Sequence, residues 1–191
     1  VKSAPTIETP MQVLNLLANL EPRDVLLIDE IHRLPARCAE YLYGAMQDWT
    51  VDFQVAQGGN ERTIHLALPP FTLIGATTDP GMLARPLLAR FRIKKRLEPY
   101  GDEALAGIVV RAAERRGIAI SPDAAREIAR RSCGTPREAI NLLGCAIEVT
   151  GRDGATRIEV PHALEAARIE GIEADGLLKE QLAILRLLVA R

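Results

Sequence analysis

Hydrophobic positions along this chain follow two periods, and the switch between them marks its organisation. Met11, Leu14 and Leu17, with Val13, Leu16 and Leu20 offset beside them, form a helical stripe over 11–20. Pro10 suits the first turn of that helix. After a Glu-Pro-Arg-Asp turn, Val25-Leu26-Leu27-Ile28 runs unbroken into Asp29-Glu30. An apolar run of this length predicts a strand buried on both faces of a parallel sheet. Residues 35–49 predict a second helix, opened by Pro35 and carried by Tyr41, Leu42 and Met46. The period then changes to two. Val51, Phe53 and Val55 alternate with polar residues, Gln57-Gly58-Gly59-Asn60 interrupts, and Ile64, Leu66 and Leu68 alternate again, which predicts a β-hairpin. Pro69-Pro70 ends it. Phe71–Thr77 is a second buried strand finishing in Thr77, Thr78 and Asp79; Met82–Arg90 predicts a short helix and Lys94–Leu97 a last short strand.

From about Gly101 the pattern is helical throughout. Glu103–Arg116, Pro122–Ser132, Pro136–Thr150 and Val160–Glu170 each carry a helical stripe. Ser121 is placed to cap the second of these, with Pro122 at its first position, and Thr135-Pro136 opens the third in the same way. Gly171–Gly176 reads as a linker and Leu177–Ala190 as a further amphipathic helix. The chain thus divides into an α/β part and an all-helical part, with a boundary near Glu98–Asp102.

Composition narrows the function classes. The 191 residues are 48% apolar, enough for a buried core, and the formal net charge is −1. A chain this close to neutral is not a basic nucleic-acid-binding protein as a whole, so a DNA contact needs a local patch or other sequence. Cys38, Cys133 and Cys145 are far apart, and no pair has metal-ligand spacing. Reduced thiols, no signal peptide and no long apolar run predict a soluble cytoplasmic protein with no membrane association.

The candidate chemistry sits at strand ends. A buried parallel strand delivers its last side chains where open α/β sheets bind ligands. There Asp29 can hold Mg²⁺ directly or through water, while Glu30 can polarise a water that attacks a γ-phosphate. Any buried strand can end in acids, so the pair alone is only moderately specific. Polar residues further along the chain, and their order, make it more so. Thr77-Thr78 closes the next strand and can hydrogen-bond a water or phosphate facing the acids. Arg85 and Arg90 precede Phe91, and Arg137 stands on the first turn of a later helix. Arginine suits a transferring phosphoryl group through its planar, permanently charged fork, and one supplied in trans contributes about 10³–10⁵ in rate. A surface salt bridge is the ordinary alternative for each arginine taken singly.

These runs together resemble the RuvB family, hexameric AAA+ motors of Holliday junction branch migration. The resemblance rests on Asp24 through Leu34, Pro69 through Thr78, Pro86-Leu87 through Arg90-Phe91, Arg96-Leu97-Glu98 to Tyr100, and Gly134-Thr135-Pro136-Arg137. It covers roughly residues 3–170. It implies a partial AAA+ P-loop NTPase domain, a parallel sheet with a β-hairpin insert, over 1–98. A helical lid over 99–171 follows, and 172–191 would be a linker and the first helix of a truncated winged-helix domain. It implies that Asp29 is the Walker B acid and metal ligand and Glu30 the catalytic acid. Thr78 matches sensor 1, Arg90 the finger reaching a neighbouring subunit's nucleotide, and Arg137 sensor 2. Gln47, Asp48, Trp49 and Tyr100 match nucleotide-contacting positions. ATP and Mg²⁺ are the implied cofactors. DNA, a RuvA-like junction-binding protein gripped by hairpin 51–68, and further copies in a homo-hexamer are the implied partners. For the hairpin, an ordinary solvent-facing ribbon satisfies the same alternation.

The chain also departs from the family. No G-x-x-x-x-G-K-[ST] loop occurs in its 191 residues. That loop cradles phosphates with backbone amides and a lysine, so the isolated chain is expected to be inactive. Without the family's first strand, the strands at Val25–Asp29 and Phe71–Thr77 would expose apolar surface and unpaired edges, so it is also expected to be poorly soluble or to associate. Arg92 stands where glycine usually follows the Phe of the finger, Gln47 replaces a usual acid, and Glu138–Cys145 is poor in arginine. Two other readings remain beside the motor subunit. One is a non-catalytic truncated paralogue or interaction module. The other is a different AAA+ DNA protein such as a clamp-loader-like subunit, which should lack the hairpin.

Overall fold

The computed structural model describes residues 1–57 and 60–189, of which 55–57 and 60–61 are described by backbone alone. The predicted break at Gly58-Gly59, the Val55 side chain and Ala190 therefore lie outside the described residues. The chain divides into two compact units, Val1–Lys95 and Arg96–Arg191.

The first unit begins with β1 (Lys2–Ser3) and a 3-10 turn at Ala4–Thr6, followed by α1 (Pro10–Ala18). Helix α1 starts on a capping box. The Thr9 hydroxyl accepts from the Gln12 amide, and the Gln12 side chain accepts from the Thr9 amide at 2.9 Å. Next come β2 (Val25–Asp29), a 3-10 turn (Ile31–Arg33) and α2 (Ala36–Gln47). The hairpin strands β3 (Thr50–Gln57) and β4 (Asn60–Ala67) lead to β5 (Thr72–Gly75). A 3-10 turn at Pro80–Met82 and α3 (Arg85–Arg90) follow. The sheet is parallel in the order β1-β2-β5, with Val25 opposite Thr72 and Ile28 opposite Gly75. This parallel register brings the C-terminal ends of β2 and β5 side by side.

The core of this unit lies on one face of that sheet. Leu26 and Ile28 are buried there against Leu17 of α1 and Leu42 of α2. Burial of β2 on both faces is not what the structure holds: Val25 is 59% exposed and Ile74 43%. Period-two geometry puts Val25, Leu27 and Ile74 on the face opposite the described core. The hairpin is antiparallel, pairing Thr50 with Ala67 and Phe53 with Ile64. Its root is core, since Val51 and Leu68 are buried, whereas Ile64 further along is exposed.

The second unit contains α4 (Asp102–Arg115), α5 (Pro122–Arg130), α6 (Pro136–Arg152), α7 (Val160–Ile169) and α8 (Lys179–Val189). It is not helical alone. Two-residue strands β6 (Ala119–Ile120) and β7 (Arg157–Ile158) pair in parallel. Leu105, Val109, Ile128, Leu142, Leu143 and Ile158 form its buried centre.

Four further expectations change. Lys94–Leu97 forms no strand. No described strand pairs with it, and Ile93 and Leu97 are 78% and 91% exposed, so neither a ladder nor burial stabilises extended structure there. Met82–Arg90 is two pieces, because Leu83 and Ala84 are extended (ψ 130° and 128°). Ser121 caps α5 as expected, accepting from the Ala124 amide at 3.3 Å, but Thr135 makes no side-chain cap to α6. Residues 171–176 are a folded turn: the Glu173 amide donates to Leu177, Ile172 bridges Leu178, and Arg131 Nη1 donates to the Ile172 carbonyl.

Candidate functional site

Two adjacent strand ends build the site. The Ala76 amide donates to Ile28, and the Ile31 amide donates back to Ala76, so the chain leaving β2 is tied to the chain leaving β5. Between those bonds Glu30 takes a left-handed backbone (φ 51°, ψ 44°). A non-glycine residue there costs about 1–2 kcal/mol. The bend turns Glu30 toward β5, and Thr78 Oγ1 donates to Glu30 Oε2 at 2.9 Å. Asp29, the last residue of β2, is exposed, and its Oδ1 accepts the Glu30 amide at 3.0 Å. Sequence reasoning placed Asp29, Glu30 and Thr78 in one site, and the structure brings these three together.

It adds one residue with no sequence-assigned role, His32, and pairs Thr77 with it. His32 Nδ1 lies 2.8 Å from Thr77 Oγ1 and 3.2 Å from Glu30 Oε2, with its side chain only 9% exposed. Thr77 Oγ1 also accepts the Asp79 amide at 3.1 Å. The available signal was a histidine two positions after the second acid, but its direction depends on the left-handed turn at Glu30. Gly75 leaves space for this corner: a Cβ there would lie 3.0 Å from both Ile31 Cδ1 and Phe91 Cζ.

A second group forms around Arg90. Its Nε donates to Gln47 Oε1 at 2.9 Å, its Nη1 to the Pro86 carbonyl at 2.7 Å, and its guanidinium lies 4.3 Å above the Tyr43 ring. Arg90 is thus held by its own chain, and the contact with Gln47 joins two predicted site residues. Tyr43 was not anticipated, because only packing of α3 on α2 brings it near. Asp48 follows α2 and lines an open groove with Glu40, Tyr41, Asp52 and Thr63. Trp49 has φ 55° and sets its ring edge-on to Phe71 at 5.4 Å. Among the described residues no hydrogen bond joins the Arg90 group to the Glu30 group.

Tyr100 and Arg137 belong to the second unit. Tyr100 is half exposed, and its amide donates to the Gly134 carbonyl at 2.9 Å. Arg137 is exposed on the first turn of α6. Gly134, three residues before Arg137, thus holds the backbone of Tyr100.

The donor set suits a hard cation held together with phosphates. Among the described residues no cluster of three His, Cys, Asp or Glu forms a metal cage. One accessible strand-end carboxylate, Asp29, matches the way Mg²⁺ is held through one or two carboxylates while keeping waters and phosphate oxygens. Thiol chemistry is not offered here: burial pushes the Cys38 thiol of α2 up from its ordinary value. Among the described residues no helix is long and apolar enough to cross a membrane.

Comparison with known proteins gives consistent matches along the chain. Residues 1–97 match the family model "Holliday junction DNA helicase RuvB P-loop domain", and residues 100–170 match "RuvB AAA lid domain". The chain is 45% identical over 195 residues to the Holliday junction branch migration complex subunit RuvB of Synechococcus sp. (strain CC9311). The match covers 99% of this chain and 53% of that protein. It is 46% identical over 177 residues to the same-named subunit of Myxococcus xanthus (strain DK1622), covering 93% and 52%. The solved Thermotoga maritima RuvB Holliday junction branch migration motor superposes with a TM-score of 0.82 at 35% identity. That match covers 98% of this chain and 58% of that one. The chain spans about half the length of the curated relatives it matches. Its parallel sheet with helices, followed by a helical lid, is the mixed α/β architecture of those structures.

Proposed function

The chain belongs to the RuvB family, and on that premise we propose that it carries the hydrolytic half of an ATP-driven DNA motor. The motor drives Holliday junction branch migration in recombination and repair, in the cytoplasm. The observation that carries the reading is the 2.9 Å bond from Thr78 to Glu30 across two parallel strand ends. It fixes a carboxylate where open α/β sheets bind ligands.

In this reading Glu30 accepts a proton from the water that attacks the γ-phosphate. Thr78 engages Oε2, so Oε1 is the oxygen free to take that proton. Asp29 holds Mg²⁺ directly or through water; when bound, the ion neutralises charge on the phosphates. Arg90 serves a neighbouring subunit's nucleotide, and must first release Gln47 and the Pro86 carbonyl. Each such bond contributes about 1 kcal/mol net, so the release is a small barrier against the rate gain a finger gives. Arg137 and Tyr100 contact nucleotide from the lid, and Gln47, Asp48 and Trp49 from the end of α2. The domain division is 1–98, 99–171 and 172–191. Hairpin 51–68 is the docking element for a RuvA-like partner, the assembly is a homo-hexamer on DNA, and the lack of a strongly basic balance leaves DNA contact to a local surface. The hairpin between α2 and β5 argues against the clamp-loader-like alternative.

Mixed-subunit kinetics test this. The 191 residues alone, lacking the phosphate-binding loop, should show no ATP turnover. In an assembled form that includes such a loop, Glu30→Gln and Arg90→Ala should each lower kcat at least 100-fold. Mixing the two variants should restore part of the activity, because one subunit's Arg90 completes another's Glu30 site. Unimpaired turnover by Glu30→Gln would overturn the reading. Inactivity of every assembled form would favour the non-catalytic alternative.

A further inference from the structure

The imidazole of His32 is a nearly buried polar group that the proposed chemistry does not use. Its Nδ1 stands between two oxygens, Thr77 Oγ1 at 2.8 Å and Glu30 Oε2 at 3.2 Å. An ionised carboxylate only accepts. A bare Nδ1 lone pair at 3.2 Å would therefore repel it, whereas an N–H there attracts it. Thr77 fits the same assignment. Its hydroxyl oxygen already accepts the Asp79 amide at 3.1 Å and keeps a second lone pair for the imidazole N–H.

From this geometry we infer that His32, held as the Nδ1–H tautomer by Thr77, is a positioning residue for the Glu30 carboxylate. The Thr78 hydroxyl donates to Oε2 at 2.9 Å, and the His32 Nδ1–H, donated to Thr77, sets its positive end 3.2 Å from that same oxygen. The Thr78 hydrogen bond and the attraction of the neighbouring imidazole N–H together bias the rotation of the carboxyl group and leave Oε1 as its basic oxygen. His32 sits in the 3-10 turn that starts directly after the left-handed Glu30, with Ile31 anchored in the core. The donor and the carboxylate thus lie within three consecutive residues on one rigid corner. The inference rests on the reading of Glu30 as the base, but the tautomer can be tested without it.

Two measurements decide the matter. Nitrogen-15 correlation spectra of the 191-residue chain resolve the ring nitrogens of His32, His65 and His162. The His32 Nδ1 should carry the proton, and Glu30→Ala should shift it toward the Nε2–H form. An Nε2–H tautomer unaffected by Glu30→Ala overturns the inference whatever the enzyme does. Kinetics on the assembled ATPase form the second arm. His32→Ala should lower kcat about 10- to 100-fold with KM little changed, the scale expected when a reacting group is misplaced by an ångström or less. His32→Asn, whose amide N–H falls near the Nδ1 position, should recover most of that loss, and His32→Phe should not. Equal kcat in His32→Phe and the parent would overturn the inference while leaving Glu30 as base. A Glu30→Gln enzyme that still turns over would instead overturn the reading of Glu30.

Discussion

Gly134 shows how much a single residue carries. Its φ is +71°, and a Cβ there would lie 2.5 Å from the Pro99 Cβ and 3.0 Å from the Tyr100 carbonyl oxygen. A left-handed alanine costs about 1–2 kcal/mol and overpacking about 1–3. Gly134→Ala should therefore lower stability by about 2–5 kcal/mol, read from the urea midpoint by circular dichroism; an unchanged midpoint would show that the close approach is relieved without cost. The sequence marked this residue only as a neighbour of Arg137. Asp29, Glu30 and Thr78 were legible because apolar runs locate strand ends, and parallel pairing then brings those ends together. His32 and Tyr43 were not legible, nor was the pairing of Thr77 with His32. Their places depend on a left-handed bend at Glu30 and on how α3 lies on α2, and neither follows from residue spacing. Arg90 was legible as a candidate, but its present bonds to Gln47 and Pro86 were not.

At the scale of elements, local chemistry decides where helices begin. Ser121 and Thr135 both precede a proline, yet only the Ser121 hydroxyl accepts an amide of its helix. Ser121→Ala should cost about 1 kcal/mol in a urea titration, and Thr135→Ala only a few tenths. Equal losses would mean that the two helix starts are held alike. Long periodic elements such as α1, β2, α2, the hairpin and α4 to α7 were readable from the sequence, because each buries a repeating face. The short strands β1, β6 and β7 were not: strands of two residues have no period to detect. The expected strand at Lys94–Leu97 had a plausible composition but no ladder to join. Glycines misled in a similar way at 171–176, where two of them suggested a linker. There Gly176 is needed instead for a left-handed turn (φ +78°) against Cys133 and Arg131.

The whole molecule presents apolar surface that its own described residues do not cover. Val25 and Ile74 are exposed on the same sheet face, in register through the pairing of Leu27 with Ile74. Leu187 and Leu188 of α8 are 71% and 65% exposed. Contiguous patches of this kind promote association. The 191-residue chain should scatter light as more than a monomer, and Val25→Lys combined with Ile74→Lys should lower its mass. A monodisperse monomer at high concentration would rule out association through this face. Selection acts on the whole molecule too, and there the left-handed Glu30 has a different meaning. Asparagine or glycine would occupy that backbone conformation more easily. Mutational drift constrained by folding alone would tend to discard the glutamate at this bend. On the reading of Glu30 as the catalytic base, its presence there answers a requirement that thermodynamic stability does not impose.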